Sequence, residues 1–224
     1  MSTPADAPVR TRVKVCGLTR PDDVRAAVEL GVDAIGLVFY PPSKRMLDLA
    51  HARELRALVP AFVDAVTLFV NPDPAEVRRV LDAVQPDLLQ FHGEESPEFC
   101  ESFGVRYMKG FRVGAPGLDT PEGLAQHCSA YATASAWLFD SYSGGYGGSG
   151  TSFELSLLSG LHGATARPLV LAGGLSPENV GASLAAAHPY AVDVSSGVED
   201  APGLKNKEKI RAFMQAVYLA DRDT

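Results

Sequence analysis

Cysteine is scarce in this chain: three in 224 residues, Cys16, Cys100 and Cys128. An odd count at wide spacing gives neither a disulfide framework nor a zinc signature, and it suits a reducing, cytoplasmic setting. Positive charge is short as well. Lys and Arg number 20 against 27 Asp and Glu, for a net charge of −7. That balance excludes the broad basic footprint of a nucleic-acid binder, while a local pocket for a small anion stays open. No apolar run approaches a membrane span, and the N-terminus lacks a signal-peptide core, so no membrane partner is expected. The dinucleotide fingerprint is missing too. Where a G-x-G-x-x-G turn would follow the first strand, the chain reads Cys16-Gly17-Leu18-Thr19.

What is present is a steady alternation of apolar runs and helical patterns. Hydrophobic residues make up 46% of the chain, enough for a sizeable core. Strands are predicted at Val13–Cys16, Ala34–Phe39, Ala65–Val70, Leu88–Phe91, Val105–Phe111, Ala136–Asp140, Leu169–Ala172 and Tyr190–Val194. Helices are predicted from a Thr19 cap through Leu30, and at Asp48–Val59, Pro74–Val84, Pro97–Phe103 and Pro121–Ala130. Three more follow near Phe153–Leu161, at Pro177–Ala187 behind a Ser176 cap, and at Lys205–Leu219. Eight such units predict a single-domain (β/α)8 TIM barrel over residues 10–224, with residues 1–9 a loose tail.

In such a barrel, chemistry sits at the C-terminal ends of the strands. The seventh run ends in Gly173-Gly174 and the eighth in Ser195-Ser196-Gly197. Glycine lets backbone approach a ligand, and phosphate is often held after strands seven and eight. These five residues are therefore candidates for a phosphate site; two ordinary tight turns are the plainer alternative. Cys16 and Asp140 end the first and sixth strands and can exchange protons from opposite sides of a bound molecule. On spacing alone Cys16 reads first as a small buried hydrophobe, and Asp140 equally as a turn residue. His92 ends the fourth strand without a second ligand at a neighbouring end, so a structural role outranks a metal. Lys109 and Arg112 flank the fifth strand, and Arg112 reads as pocket potential or as surface charge. Asp193 would repel a phosphate it faced, so it is expected to orient loop amides or Lys14.

Four motifs occur in order along nearly the whole chain. They are Lys14-Val15-Cys16-Gly17-Leu18-Thr19, Gln90-Phe91-His92-Gly93-Glu94, Leu171-Ala172-Gly173-Gly174-Leu175 with Pro177-Glu178-Asn179-Val180, and Asp193-Val194-Ser195-Ser196-Gly197-Val198-Glu199. Together they resemble the phosphoribosylanthranilate isomerase family. The resemblance implies a cofactor-free, metal-free (β/α)8 isomerase of tryptophan biosynthesis. It would convert N-(5-phosphoribosyl)anthranilate to 1-(2-carboxyphenylamino)-1-deoxyribulose 5-phosphate by an Amadori rearrangement. It further implies Cys16 as general base, Asp140 as general acid, and Arg45 as the arginine that holds the anthranilate carboxylate. His92, Gly173, Gly174, Ser195, Ser196 and Gly197 complete the expected substrate site. The expected partner is a small phosphorylated substrate, taken by a monomer or homodimer.

One segment departs from the family pattern. After the sixth strand the family usually has Gly-Gly-Thr-Gly, then Phe and often Asp-Trp. Here Gly147-Gly148-Ser149-Gly150 leads to Phe153-Glu154-Leu155, with an extra Gly-Gly-Tyr before it. This loop is expected to order as a lid over substrate. Other functions are less well served. A sugar-phosphate epimerase would need metal-binding histidines and aspartates on several strands. Indoleglycerol-phosphate synthase would need a lysine acid near a glutamate, and Lys109 is the one candidate. A non-catalytic phosphate binder would have no use for both Cys16 and Asp140.

Overall fold

A strand buried on both faces needs continuous apolar character, and each of the eight short runs forms one strand of a closed parallel barrel. The computed structural model describes residues 10–141, 154–161 and 167–222. The expected N-terminal tail and most of the glycine-dense loop lie outside the described residues. The strands are β1 (Arg12–Cys16), β2 (Ala34–Phe39), β3 (Asp64–Phe69), β4 (Leu88–Phe91), β5 (Tyr107–Val113), β6 (Ala136–Ser141), β7 (Leu169–Leu171) and β8 (Ala191–Val194). Each pairs with its sequence neighbour, and β8 closes on β1. The helices are α1 (Pro21–Glu29), α2 (Leu49–Arg56), α3 (Pro74–Val84), α4 (Pro97–Glu101), α5 (Pro121–Ser129), α6 (Val180–Ala187) and α7 (Lys207–Arg222). Among the described residues no helix is long and apolar enough to cross a membrane.

Alternation along the strands sorts the side chains into two cores. One set packs between sheet and helices, where Phe39, Phe69 and Phe91 run across β2, β3 and β4 with centroids 5.6 and 6.1 Å apart. Phe91 also meets the edge of Phe99 from α4 at 5.7 Å. The other set, with Met108, Leu138, Val170 and Ala191, fills the barrel interior as a separate cluster. Above it the same interior face turns polar, with Lys14, Gln90 and Asp193 buried.

The helix starts follow capping chemistry. Asp48 accepts from His51 N before α2, Asp73 from Ala75 N before α3, and Ser96 from Phe99 N before α4. Proline occupies the first turn of α1, α3, α4 and α5.

Five expectations are corrected. Thr19 does not cap α1; its hydroxyl donates to the Gly203 carbonyl at 2.6 Å, and Arg20 takes the cap position. The seventh helix does not run from Pro177: Ser176 Oγ accepts from Glu178 N at 3.3 Å, yet Asn179 takes the cap position. Asn179 Oδ1 accepts from Ser176 N and Asn179 Nδ2 donates to Gly174 O, both at 2.8 Å, so residues 176–179 form a turn and α6 starts at Val180. In place of the sixth helix, Leu155–Leu161 forms a 3₁₀ helix. Finally, Lys205 belongs to no helix. It pairs in a short hairpin, β9 (Glu199–Ala201) with β10 (Leu204–Lys205), and α7 begins after it. The fifth strand also starts two residues later than expected, because Tyr107 is the residue set opposite Leu89 of β4 and Val105 is left exposed.

Candidate active site

The C-terminal mouth of the barrel holds a concave cavity. Cys16, Arg45, His92, Asp140, Gly173, Gly174, Ser195 and Ser196 all line it. Gly197 does not. It packs behind the wall, where a Cβ would run into the Leu175 carbonyl, so its missing side chain lets the loop after β8 press against the loop after β7.

Cys16 ends β1 opposite Gly36 of β2. A Cβ on Gly36 would stand 2.6 Å from the Cys16 sulfur, so that glycine supplies the room for the thiol. Burial pushes the thiol's pKa up. Lys14 pulls it down, Asp193 pushes it up and Lys205 pulls it down, leaving it above the usual cysteine value.

Asp140 and His92 form a second unit. His92 Nε2 lies 3.1 Å from Asp140 Oδ2, and the Ser141 amide donates to Oδ1 at 2.8 Å. Gln90 Nε2 faces His92 Nδ1 at 3.2 Å. A Gln90 amide donating to Nδ1 leaves the ring proton on Nε2, where it is donated to Asp140. Glycines again make the space: a Cβ on Gly110 would sit 2.6 Å from His92 Nδ1, and one on Gly173 would sit 2.8 Å from Asp140 Oδ1.

Arg45 is engaged within the protein. Its Nε and Nη2 donate to Glu199 Oε1 and Oε2 at 2.8 and 2.5 Å, a forked pair. Lys205 Nζ donates to Glu199 Oε1 at 2.7 Å and to the Ser195 carbonyl at 3.0 Å. Burial drives the Lys205 pKa down, against the pull of Glu199. Ser195 Oγ in turn donates to the Cys16 carbonyl at 3.0 Å. The wall after β8 is thus a chain of polar contacts from Arg45 to Cys16.

Gly173 and Gly174 both adopt left-handed backbone, at φ +83° and +64°. Asp193 behaves as its sequence position suggested, accepting from Lys14 Nζ at 2.7 Å. Lys109 is sealed away from the cavity. Its ammonium meets Glu95 at 3.0 Å and the Gly93 carbonyl at 2.5 Å, which removes it as a proton donor to a ligand. Glu199 and Gln90 stand out in the sequence only as members of motifs, and Lys205 only as the start of a predicted helix. Glu199 stands 154 residues from Arg45, and only the fold brings the two together. The residues between 142 and 153, where a lid is expected, lie outside the described residues.

Known proteins match this arrangement. Residues 13–216 match the family described as N-(5'phosphoribosyl)anthranilate (PRA) isomerase. A protein of Bordetella petrii named N-(5'-phosphoribosyl)anthranilate isomerase is 59% identical over 214 residues, covering 95% of this chain and 97% of its own. The crystal structure of phosphoribosyl anthranilate isomerase from Thermotoga maritima superposes with a TM-score of 0.84 at 38% identity, covering 93% of this chain and 98% of that one. A phosphoribosyl anthranilate isomerase in complex with reduced 1-(o-carboxyphenylamino)-1-deoxyribulose 5-phosphate gives a TM-score of 0.80 at 35% identity, with the same coverage of 93% and 98%.

Removing one member of the buried network isolates its cost. Glu199→Gln should destabilise the fold by about 3–5 kcal/mol, because Arg45 and Lys205 lose their shared anion inside the protein. Urea unfolding followed by far-UV circular dichroism reads this out, and an unchanged midpoint would show that solvent already screens the pair.

Proposed function

The chain belongs to the N-(5'-phosphoribosyl)anthranilate isomerase family, aldose–ketose isomerases of tryptophan biosynthesis, and we propose that Cys16 is its general base and Asp140 its general acid. The observation that carries this division is their placement. They stand at the C-terminal ends of β1 and β6, Cys16 last in its strand and Asp140 last but one, and both line one cavity, the thiol beside cations and the carboxylate under a histidine donor.

The substrate is N-(5-phosphoribosyl)anthranilate. Asp140, protonated, gives its proton to the ribose ring oxygen as the C1–O bond breaks and the nitrogen lone pair forms an iminium. The iminium withdraws electrons from C2, and the Cys16 thiolate removes the C2 proton. The resulting enolamine tautomerises to the aminoketose product. An iminium already stabilises the developing charge, so the chemistry calls for no metal or organic cofactor. His92 orients the Asp140 carboxyl through Nε2.

The remaining candidates bind. Gly173, Gly174, Ser195 and Ser196 hold the phosphate through backbone N–H groups, and Gly197 lets their two loops close together. Phosphate binding is remote from the reacting carbons and serves to orient them. Arg45 receives the anthranilate carboxylate. Glu199 already occupies its Nε–Nη2 edge, so the substrate meets the Nη1 side of a guanidinium fixed in place. The enzyme works in the cytoplasm as a monomer or a homodimer. The three free, buried thiols support the reducing setting, with Cys100 and Cys128 each pushed by burial up to about 12.

Substrate made in situ from anthranilate and phosphoribosyl pyrophosphate should lose its anthranilate fluorescence when the enzyme is added. Cys16→Ala and Asp140→Asn should each lower kcat by about 10²–10⁴-fold. Near-wild-type turnover in either variant sinks that assignment. Arg45→Ala should raise KM well above its effect on kcat, and an unaltered KM would remove it from the carboxylate. The thiol's raised pKa leaves thiolate a minor species at neutral pH, so kcat/KM should climb with pH into the alkaline range. A profile flat from pH 7 to pH 10 would contradict a cysteine base.

A further inference from the structure

We propose that Lys14 is the cation that stabilises the Cys16 thiolate, and that Asp193 is the anchor that aims it. This rests on Cys16 being the base. The placement follows from strand geometry. Residues two apart on β1 share a face, so Lys14 and Cys16 both project into the barrel. The neighbour of Lys14 in register across the β1–β8 seam is Asp193. The Lys14 ammonium donates to Asp193 Oδ2 at 2.7 Å, with the two side chains 6% and 7% exposed. Below them the interior is apolar, with Met108, Leu138 and Val170, while Gln90 shares their layer.

A buried ion pair in such a place is a weak source of stability, since neutral groups of similar volume often serve as well or better. Its use lies in what it faces. An ammonium carries three protons, and Asp193 Oδ2 takes one. Lys14 and Cys16 share the interior face of β1, and the ammonium's charge favours the thiolate more strongly than the Asp193 carboxylate opposes it. The other charged groups facing the thiol are Lys205 and Arg45, and both are held by Glu199. The wall beside the thiol therefore has three cations against two carboxylates, and one thiolate brings it to neutrality. Asp193 keeps one oxygen, Oδ1, buried without a partner, the mark of an anion kept for its position.

Lys14 is a positioning residue on this view, acting through Cys16. The test reads the thiolate directly. Iodoacetamide alkylation of Cys16 in the full-length protein is followed against pH, with the labelled peptide identified by mass. In Lys14→Met/Asp193→Asn, which removes both charges together, the alkylation half-point should rise by about one pH unit or more. That is about a tenfold slower reaction at fixed neutral pH. Its kcat at neutral pH should fall about tenfold, recover as pH rises, and leave KM within about twofold. Lys14→Arg, which keeps the charge, should hold the half-point near wild type. An unchanged half-point in the folded double variant overturns the proposal, as does an equal shift in Lys14→Arg.

A measurement without a Lys14 variant guards against misfolding. The ¹⁵Nζ resonance of Lys14 in wild type should titrate with the Cys16 half-point and lose that step in Cys16→Ser. No such step overturns the proposal. If Cys16→Ala turns over normally while the alkylation shift stands, the base assignment has failed and the Lys14 effect has not.

Discussion

The β1–β8 seam is the contact on which the site depends. Four residue pairs, from Arg12 opposite Ala191 to Val15 opposite Val194, close the sheet on itself. Closure brings together groups 179 residues apart: Lys14 with Asp193, and the Ser195 hydroxyl with the Cys16 carbonyl. A slip of one residue along this seam would turn the interior set outward and dissolve both contacts. The register is fastened from outside as well. Thr11 takes two hydrogen bonds to Asp221 of α7, one from its amide at 2.8 Å and one from its hydroxyl at 2.6 Å.

Around that seam the molecule places charge where charge is costly. Two buried clusters stand side by side, Lys14 with Asp193 and Arg45 with Glu199 and Lys205. Desolvation works against each ion, and each carboxylate offsets part of that penalty for its cations. What results is a site whose polar groups are already oriented before substrate arrives. Preorganised dipoles and charges need no rearrangement during the reaction, which is where electrostatic catalysis draws its strength. The opposite wall is quieter: Gln90, His92 and Asp140 form a hydrogen-bonded line across β4 and β6.

The barrel was legible in the sequence because each strand is a local event. Ala34–Phe39 is apolar throughout, Leu88–Phe91 is apolar but for Gln90, and both have the expected limits. Cys16, His92 and Asp140 were legible for the same reason, since a strand's end marks the barrel mouth. Arg45 was placed correctly on the cavity, yet its partner Glu199 was not foreseen. In residues 195–206 Pro202-Gly203 signals a turn, but the flanking residues lack the apolar alternation of strands, and Lys205 instead extends the pattern of α7 and reads as its first turn. Ser176-Pro177 misled in the opposite direction. It has the chemistry of a helix start, but Asn179 hydrogen-bonds back to Gly174 and Ser176 and takes the four residues into a turn. Both deciding contacts are local, a side chain bonding back within five residues and a hairpin closing on Pro202-Gly203, and they override the helix signal that the same residues carry.

The hairpin β9–β10 lies beyond the last barrel strand, and its position sets an order in time. During synthesis the thiol of Cys16 emerges early, while its neighbours Asp193 and Lys205 come roughly 180 residues later. At about 5–20 residues per second, that interval is on the order of 10–35 s. Throughout it, Lys14 lacks its carboxylate and Arg45 lacks Glu199, so neither cation has the partner that lets it enter an apolar interior. The charged wall beside the thiol is therefore the last part of the site to be assembled, after the residues it surrounds.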